Sequence, residues 1–347
     1  MSEFNPNDIG VANGNFFGLP CNENESEIVL LSVPWDATVS YGTGTADGPQ
    51  AIIDASLQVD LFDEKVPESW KTRAWTIPVS EEIYELSSRA RQAAEDVIAA
   101  LEEGAGVPED NVSLQIVNNA SEKLNKYVEE QSGKYLSAGK LVAVVGGEHS
   151  VPFGLIKTLG ERYNDFGVLH LDAHSDTRKA YEGFKFSHAS IMYNVLENVP
   201  SVSKIVQVGI RDYCSDEHQL IFNSERVAPY TDFIVNQMQF MGRTWDSICD
   251  EIISNLPDNV YISFDIDALT PENCPNTGTP VPGGLTFAQA DYLIYKLSIS
   301  GKRIIGFDLC EVAPAPEGEW DANVGARILY KLLVYTAQNR KSLIFAD

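Results

Sequence analysis

Six short apolar runs, each followed by turn residues, constrain the fold of this 347-residue chain more than any other feature. Helical patterns separate several of them, for example residues 151–164 after the second run and 286–300 before the last. Apolar strands that alternate with helices predict an α/β fold with three α/β/α layers around a mostly parallel, doubly wound sheet. Ligands of such sheets bind beyond the carboxyl ends of the strands. The runs are residues 27–34, 141–147, 166–174, 204–212, 259–267 and 303–314.

The length suits one large α/β domain or two ordinary ones, and 44% apolar residues suffice for a sizeable core. We expect residues 1–26 to form an N-terminal extension and residues 27–347 to form a single domain. The segment from about 81 to 137 is acidic and helical in pattern, with a break at GAGVPEDN. We interpret it as a helical insertion between early strands.

Cysteine usage, charge and hydropathy favour a cytoplasmic protein. The five cysteines are scattered and lack CxxC spacing, which is typical of free thiols in a reducing compartment. No signal peptide and no run of 18 apolar residues is evident, so no membrane partner is expected. The formal net charge of -25 disfavours nucleic acid as a partner, although we attribute most of this charge to solubility.

Titratable side chains cluster where three of the predicted strands end. The motif GGEHS follows the second run, DAHSD ends the third, and SFDIDALTP ends the fifth. Since residues i and i+2 share a face of a strand, we expect Asp172 with His174, and Asp265 with Asp267, to point into one cleft. The candidate metal ligands are His149, Asp172, His174, Asp176, Asp265 and Asp267.

Four converging carboxylates repel each other strongly unless cations lie among them. Two histidines and four aspartates suit Mn²⁺, Ni²⁺, Fe²⁺ or Zn²⁺ better than Ca²⁺. The number of ligands suits two ions about 3.5–4 Å apart, which would turn a shared water into hydroxide near neutral pH. Each motif alone is more often structural, but three of them in order, each at a predicted strand end, favour a metal site.

The blocks GGEHS, DAHSD and SFDIDALTPENCPNTGTPVPGGLT resemble the three signatures of the ureohydrolases, the arginase and agmatinase superfamily. The resemblance covers about residues 27 to 340, with departures at Thr270 and at residues 274–276. It implies an arginase-like fold and a hydrolase acting on linear amidines. It also implies two divalent metal ions per subunit, Mn²⁺ first and Ni²⁺ as the alternative, and a homo-oligomer, either a trimer or a hexamer.

The resemblance also implies roles for individual residues. Asp172 and Asp265 would bridge the two metals, and Asp176 would orient the hydroxide and pass its proton to the leaving amine. His188, in FSHAS, matches the family's proton-shuttle histidine, and Glu311 matches the carboxylate that binds the guanidinium. The first metal would be bound by His149, Asp172, Asp176 and Asp265, and the second by Asp172, His174, Asp265 and Asp267.

Three other polar residues are assigned no catalytic role. His170 precedes the DAHSD block and is interpreted as a histidine that supports the ligands rather than as a ligand. His218 is expected at the surface. Cys310 is expected in the core, because metal-activated hydroxide already supplies the nucleophile.

The substrate predicted from the resemblance is a small cationic guanidino compound, with agmatine, cleaved to urea and putrescine, as the first choice. Residues 33–53 and 176–190 are more similar to agmatinases than to arginases, so arginine is less favoured. Free guanidine is the alternative, because Trp320 could close a small substrate-binding pocket. Guanidinobutyrate and formiminoglutamate both need a basic anchor, for which Arg178 and Lys179 are the candidates.

Two further classes of protein fit the sequence less well. A non-catalytic, metal-binding relative would be expected to lack ligands or the shuttle histidine, and all of those positions are present. A single-zinc deacetylase of related fold normally carries a pair of adjacent histidines, and this sequence has none. Both classes are therefore less favoured than a binuclear hydrolase.

Overall fold

The computed structural model describes residues 4–344 and contains one sheet of eight parallel strands, in the order β2-β1-β3-β8-β7-β4-β5-β6. The strands are β1 (Ile28–Val33), β2 (Ala74–Ile77), β3 (Leu141–Gly146), β4 (Phe166–Leu171), β5 (Val202–Val208), β6 (Val227–Tyr230), β7 (Asn259–Asp265) and β8 (Arg303–Cys310). This architecture confirms the α/β prediction. Every strand pair is parallel, so the sheet is more regular than the mostly parallel one expected.

Helices cover both faces of the sheet. The helices are α1 (Gly48–Ser56), α2 (Glu81–Glu102), α3 (Val112–Ser137), α4 (Phe153–Gly160), α5 (Ile191–Asn198), α6 (Ser215–Asn223), α7 (Asp232–Phe240), α8 (Trp245–Ser254), α9 (Phe287–Ile299) and α10 (Trp320–Ile344). In β1, Leu30 packs in a core with α1, α8, α9 and α10, whereas Val29 and Leu31 pack in a second core with α2 to α5. The alternation of side chains along each strand therefore produces the three layers.

Each of the six apolar runs coincides with one strand, although β5 begins two residues before its run, whereas the edge strands β2 and β6 were not predicted. Each edge strand has only four residues. Strand β6 also contains Pro229, which lacks a backbone N–H and is tolerated mainly at sheet edges.

The acidic segment forms two helices, α2 and α3, which pack against each other and are separated at residues 103–111. Ser80 and Asn111 cap their N-termini by accepting hydrogen bonds from the amides of Ile83 and Leu114. The division of the chain at residue 26 stays a prediction. The outer ends of the two proposed segments, residues 1–3 and 345–347, lie outside the described residues.

Within residues 4–344, no helix is both long enough and apolar enough to cross a lipid bilayer.

Candidate metal centre

Five of the six predicted ligands form two groups beyond the carboxyl ends of β3, β4 and β7, three strands near the middle of the sheet. The sixth, Asp265, lies 3.4 Å from Nδ1 of His149 in the first group. His149 follows β3, Asp172 directly follows β4, and Asp265 ends β7. Strand β8 lies between β3 and β7 and brings Glu311 to the same edge. Parallel strands thus collect residues that are up to 162 positions apart in the sequence.

Two tight turns, and not a shared strand face, bring the carboxylates together. Strand β4 stops at Leu171, and Asp172 Oδ1 accepts a hydrogen bond from the amide of His174 at 2.6 Å. Asp265 Oδ1 accepts one from the amide of Asp267 at 2.8 Å. Each aspartate therefore turns the chain with its own side chain, and His174 and Asp267 lie beyond the strands rather than on them.

His149 lies at the centre of the first group of ligands. Its Nδ1 atom is 2.9 Å from Asp172 Oδ2, 3.2 Å from Asp176 Oδ2 and 3.4 Å from Asp265 Oδ2. A single N–H cannot satisfy three carboxylate oxygens. A divalent cation among these four donor atoms would satisfy all of them, so the arrangement fits a metal ion.

Asp172 also belongs to a second group. His174 Nδ1 is 2.9 Å from Asp267 Oδ2 and 3.5 Å from Asp172 Oδ1. One carboxylate thus contacts the histidines of both groups, as expected of a ligand that bridges two ions.

The pKa values of the cluster are shifted, because burial and repulsion between the carboxylates disfavour their charged forms. Burial and the negative charge of Asp172 raise the pKa of Asp176 to about 6. Burial and the charges of Asp267 and Asp172 raise the pKa of Asp265 well above its usual range. Burial lowers the pKa of His174, but the Asp267 and Asp172 carboxylates outweigh it and raise the value to about 12. Bound cations would supply the positive charge that protons supply here.

A row of four buried polar side chains crosses the sheet beneath this cluster. Adjacent strands pair Gln207 with His170, His170 with Ser263, and Ser263 with Asp308, and all four side chains are fully buried. Ser263 Oγ lies 2.9 Å from Nε2 of His149, so it fixes the imidazole and leaves Nδ1 facing the carboxylates. We call these four residues the polar row.

His170 is bonded as a supporting residue, as predicted. The Gln207 amide donates to the carbonyl of Ser175 at 2.8 Å and to His170 Nδ1 at 3.1 Å. The His170 proton must then be on Nε2, which donates to Asp172 Oδ2 at 2.8 Å. His170 Nε2 lies as close to Asp172 and Asp176 as a metal ligand would. Its hydrogen bond to Asp172, however, leaves it no lone pair for a metal ion.

Glu311 begins the chain segment that follows β8 and is held by its backbone. Its φ angle of 65° is unusual for a residue with a side chain. The amide donates to the carbonyl of Gly147, and Oε1 accepts from the amide of His149, both at 2.8 Å. Burial, together with the nearby Glu148, raises the pKa of the Glu311 carboxyl. A buried carboxylate held this way is a suitable partner for a planar cation.

His188 is tied to the GGEHS motif through Thr38. The hydroxyl of Thr38 accepts from the His188 amide at 3.0 Å and donates to Glu148 Oε1 at 2.7 Å. Burial lowers the pKa of His188 to about 4, so its imidazole is neutral at neutral pH. Burial raises the pKa of Glu148 to about 7.

Helix α3 supports the loop that carries His188. Asn118 donates to the carbonyl of Gly183 and accepts from the amide of Lys185. Phe184, which is fully buried, packs between α2 and α3. The acidic helical segment thus contributes to the position of a candidate catalytic residue.

A cavity of about 170 Å³ opens beside the cluster and is lined by His174, Asp176 and His188. Arg178 also lines it and donates from Nε to Glu217 at 3.2 Å, while the Tyr181 ring lies 4.6 Å from its guanidinium carbon.

Trp320 lies elsewhere. It begins α10, is 56% exposed, and donates its indole N–H to the carbonyl of Glu272 at 2.9 Å. It is not among the residues that line this cavity, so the structure gives no support to its predicted role in substrate binding. Cys310 is fully buried and His218 is exposed, as expected.

The residues that were not identified from the sequence lie around the predicted site: Gln207, Ser263 and Asp308 in the polar row, and Thr38, which bonds to His188 and Glu148. Three of them are single polar residues inside apolar strands, which is a signal in itself, because a buried polar group needs a partner. Their partners depend on which strands are neighbours. The sequence alone did not supply that order.

Comparison with known proteins gives a consistent result. The model of the Arginase family matches residues 26–335. N(1)-aminopropylagmatine ureohydrolase of Thermus thermophilus is 31% identical over 92% of each chain, and agmatinase of Neisseria meningitidis serogroup C is 29% identical over 92% of each chain. The solved structure of agmatine ureohydrolase of Thermoplasma volcanium aligns with a TM-score of 0.71 at 22% identity, covering 96% of this chain and 97% of that one.

Proposed function

This chain belongs to the arginase family, and from that premise we propose that it hydrolyses agmatine to urea and putrescine. It is a hydrolase that acts on the C–N bond of a guanidino compound. The observation that carries the proposal is the meeting of His149 Nδ1 with three carboxylates, with Glu311 bonded to the amide of the same histidine.

We propose two divalent metal ions, with Mn²⁺ as the first choice and Ni²⁺ as the alternative. When bound, such a pair supplies Lewis acidity and lowers the pKa of water towards neutrality. One ion would be held by His149, Asp172, Asp176 and Asp265, and the other by Asp172, His174, Asp265 and Asp267. The mixture of imidazole and carboxylate donors supports a first-row transition metal.

Glu311 is proposed to bind and orient the guanidinium group. This cation is a poor electrophile, because its charge is delocalised over three nitrogens. Fixing its carbon in place removes much of the entropic cost of attack by water. A Cβ atom at Gly278 would lie 3.5 Å from Glu311 Oε2, so the glycine leaves space beside the carboxylate for the planar group.

His188 and Asp176 are proposed to transfer protons. Asp176 takes a proton from water as the water oxygen adds to the guanidinium carbon, and it passes that proton to the substituted nitrogen as the bond from the carbon to that nitrogen breaks. The remaining hydroxyl proton is lost as urea forms, and the amine takes up one proton, so the total charge is unchanged. His188 is neutral at neutral pH because burial lowers its pKa to about 4, so it can accept a proton and exchange it with solvent. The products are urea and a protonated amine.

The names of the relatives support agmatine or an agmatine derivative. The Thermus thermophilus relative is named for N(1)-aminopropylagmatine, which makes that compound the second candidate. Free guanidine is not favoured, because Trp320 lies at the surface and does not close the cavity. We also propose a cytoplasmic homo-oligomer, a trimer or hexamer, as the family resemblance implies.

The proposal is tested by measuring urea release from the purified protein loaded with Mn²⁺ or Ni²⁺. The substrates are agmatine, N(1)-aminopropylagmatine, arginine, guanidinobutyrate and guanidine. We expect turnover of agmatine or its aminopropyl derivative, with little from the other three. Turnover of guanidine alone, or no urea from protein that contains two metals per subunit, would contradict it.

Two pairs of variants test the residue roles. We expect His188→Gln to lower kcat by about a hundredfold, whereas His218→Gln, on the surface, has no effect. We expect Glu311→Gln to lower kcat/KM by a similar factor, while the exposed Glu317→Gln serves as its control. Metal content is measured in each variant, because retained metal with lost turnover separates these roles from metal binding.

A further inference from the structure

A second cavity lies at the amino ends of the strands, on the side of the sheet opposite the metal centre. Its volume is about 530 Å³, and it is formed where β3 and β8 begin and where α3, α4 and α10 end. Strand β8 runs from Arg303 in this cavity to Cys310, which precedes Glu311. Eight residues of extended chain span about 26 Å, so the two sites are separate.

The charge of this cavity differs from that of the protein. The chain has 50 acidic and 25 basic residues, a ratio of two to one. The cavity is lined by four basic residues and no acidic residue: Lys140, Arg162, Arg303 and Arg340. Gathering four positive charges is unfavourable unless an anion offsets their repulsion.

None of these four side chains forms an ion pair with a carboxylate within residues 4–344. Lys140 is bonded to the hydroxyl of Ser26 and the carbonyl of Glu23, and Arg340 to the carbonyls of Gly139 and Glu27. These contacts hold two of the cationic groups in place without neutralising them.

The other two cationic side chains have N–H groups that donate no hydrogen bond to the described residues. Arg162 makes a single hydrogen bond, from Nη2 to the hydroxyl of Ser137 at 2.8 Å. The side chain of Arg303 donates to no residue in the part of the chain that the structure describes. Guanidinium groups bind phosphate oxygens in pairs, which makes these two arginines the natural contacts for an oxyanion.

We propose that this cavity binds a small organic phosphate. The four cations would contact the phosphate, and the apolar walls and Tyr163 would contact the organic part. Its volume lies in the range of sites for small metabolites. The apolar wall residues are Leu136, Leu141, Ile304 and Ile305. The proposal does not depend on the reaction at the metal centre.

Isothermal titration calorimetry on the full-length, metal-loaded protein tests it. The probes are inorganic phosphate and adenosine 5′-monophosphate, both of which chelate divalent metals weakly. The variants are Arg162→Gln and Arg303→Gln, and the matched control is Arg89→Gln, an exposed arginine on α2. All three positions are exposed, so we expect each variant to fold, which circular dichroism and agmatine turnover would verify.

We expect the wild type and the control to bind the nucleotide with equal affinity. We expect the affinity of each cavity variant to be lower by about tenfold or more. Tighter binding of the nucleotide than of phosphate would show that the organic part is contacted as well. Absence of binding by the wild type, or equal binding by all four proteins, would overturn the proposal. The proposal would also be overturned if the cavity variants changed their oligomeric state while the wild type bound no phosphate. That result would show that the cavity is a contact between copies of this chain.

Discussion

Replacing Gln207 by leucine would test how far the polar row controls the metal centre. The Gln207 amide donates two hydrogen bonds, to His170 Nδ1 and to the carbonyl of Ser175. His170 in turn donates to Asp172, and Ser175 lies between two predicted ligands. Leucine has a similar volume and no donor, so the variant removes both hydrogen bonds with little change in packing.

The expected cost follows from the two acceptors that are left without a partner. Each buried acceptor that loses its donor costs about 1–3 kcal/mol, and the added apolar surface offsets part of the sum. We therefore expect the metal-free Gln207→Leu variant to lose about 2–4 kcal/mol of unfolding free energy. We expect its metal affinity to fall by about tenfold to a hundredfold, as is typical when residues that orient ligands are changed.

Two measurements would check this prediction. Chemical unfolding of the metal-free protein gives the stability, and titration with Mn²⁺ followed by calorimetry gives the affinity. The control is Gln50→Leu, which removes a hydrogen bond to Asp54 at an exposed position of α1. Unchanged metal affinity in a Gln207→Leu protein that is clearly destabilised would refute the reasoning, because it would show that His170 and Ser175 do not position the ligands.

Further predictions concern Gly147 and Asp63. A Cβ atom at Gly147 would lie 1.8 Å from the carbonyl oxygen of Trp35, so Gly147→Ala should lose about 1–3 kcal/mol or more in thermal unfolding. Gly133→Ala, in an open part of α3, should be neutral or stabilising by up to about 1 kcal/mol, and equal effects of the two substitutions would contradict the steric argument. Asp63 is buried, which favours its neutral form, but hydrogen bonds from Lys331 and from backbone amides outweigh this and lower its pKa. Its stabilisation is therefore present above the unfolded-state pKa of about 3.9 and is lost as the pH falls through the lower folded-state value. Asp63→Asn should cost about 1–2 kcal/mol at neutral pH, with a difference from wild type that shrinks in acid; a constant difference in urea unfolding across that range would disprove it.

Six of the eight strands, and the candidate ligands beyond their ends, could be identified in the sequence because both have strong local patterns. A buried parallel strand is a continuous apolar run, and polar residues at its end stand out against it. The edge strands β2 and β6 lack such a run. The pairing of His170 with Gln207 and Ser263 depends on strand order, which a local pattern does not contain.

Asp172 and His174 are neighbours, as expected, but they do not share a strand face. An aspartate can end a strand by accepting a hydrogen bond from the amide two residues later, as Asp172 does. Strand periodicity in the sequence does not reveal such a turn. Trp320 is near Glu311 in the sequence, which suggested a shared pocket. Trp320 instead begins α10 at the surface, where its indole N–H donates to the carbonyl of Glu272.

The position of β8 in the sheet has a consequence for how the molecule is assembled. This strand is the eighth in the sequence, yet it lies between β3 and β7. The sheet therefore stays in two parts until residues 303–310 are available, and Asp308 completes the polar row at the same step as Glu311 reaches His149. Contacts across such long sequence separations form slowly and leave apolar strand edges exposed in the meantime. During synthesis, the candidate ligands that follow β3 and β4 and that end β7 would emerge well before β8, so we expect the metal centre to form only at the end of folding.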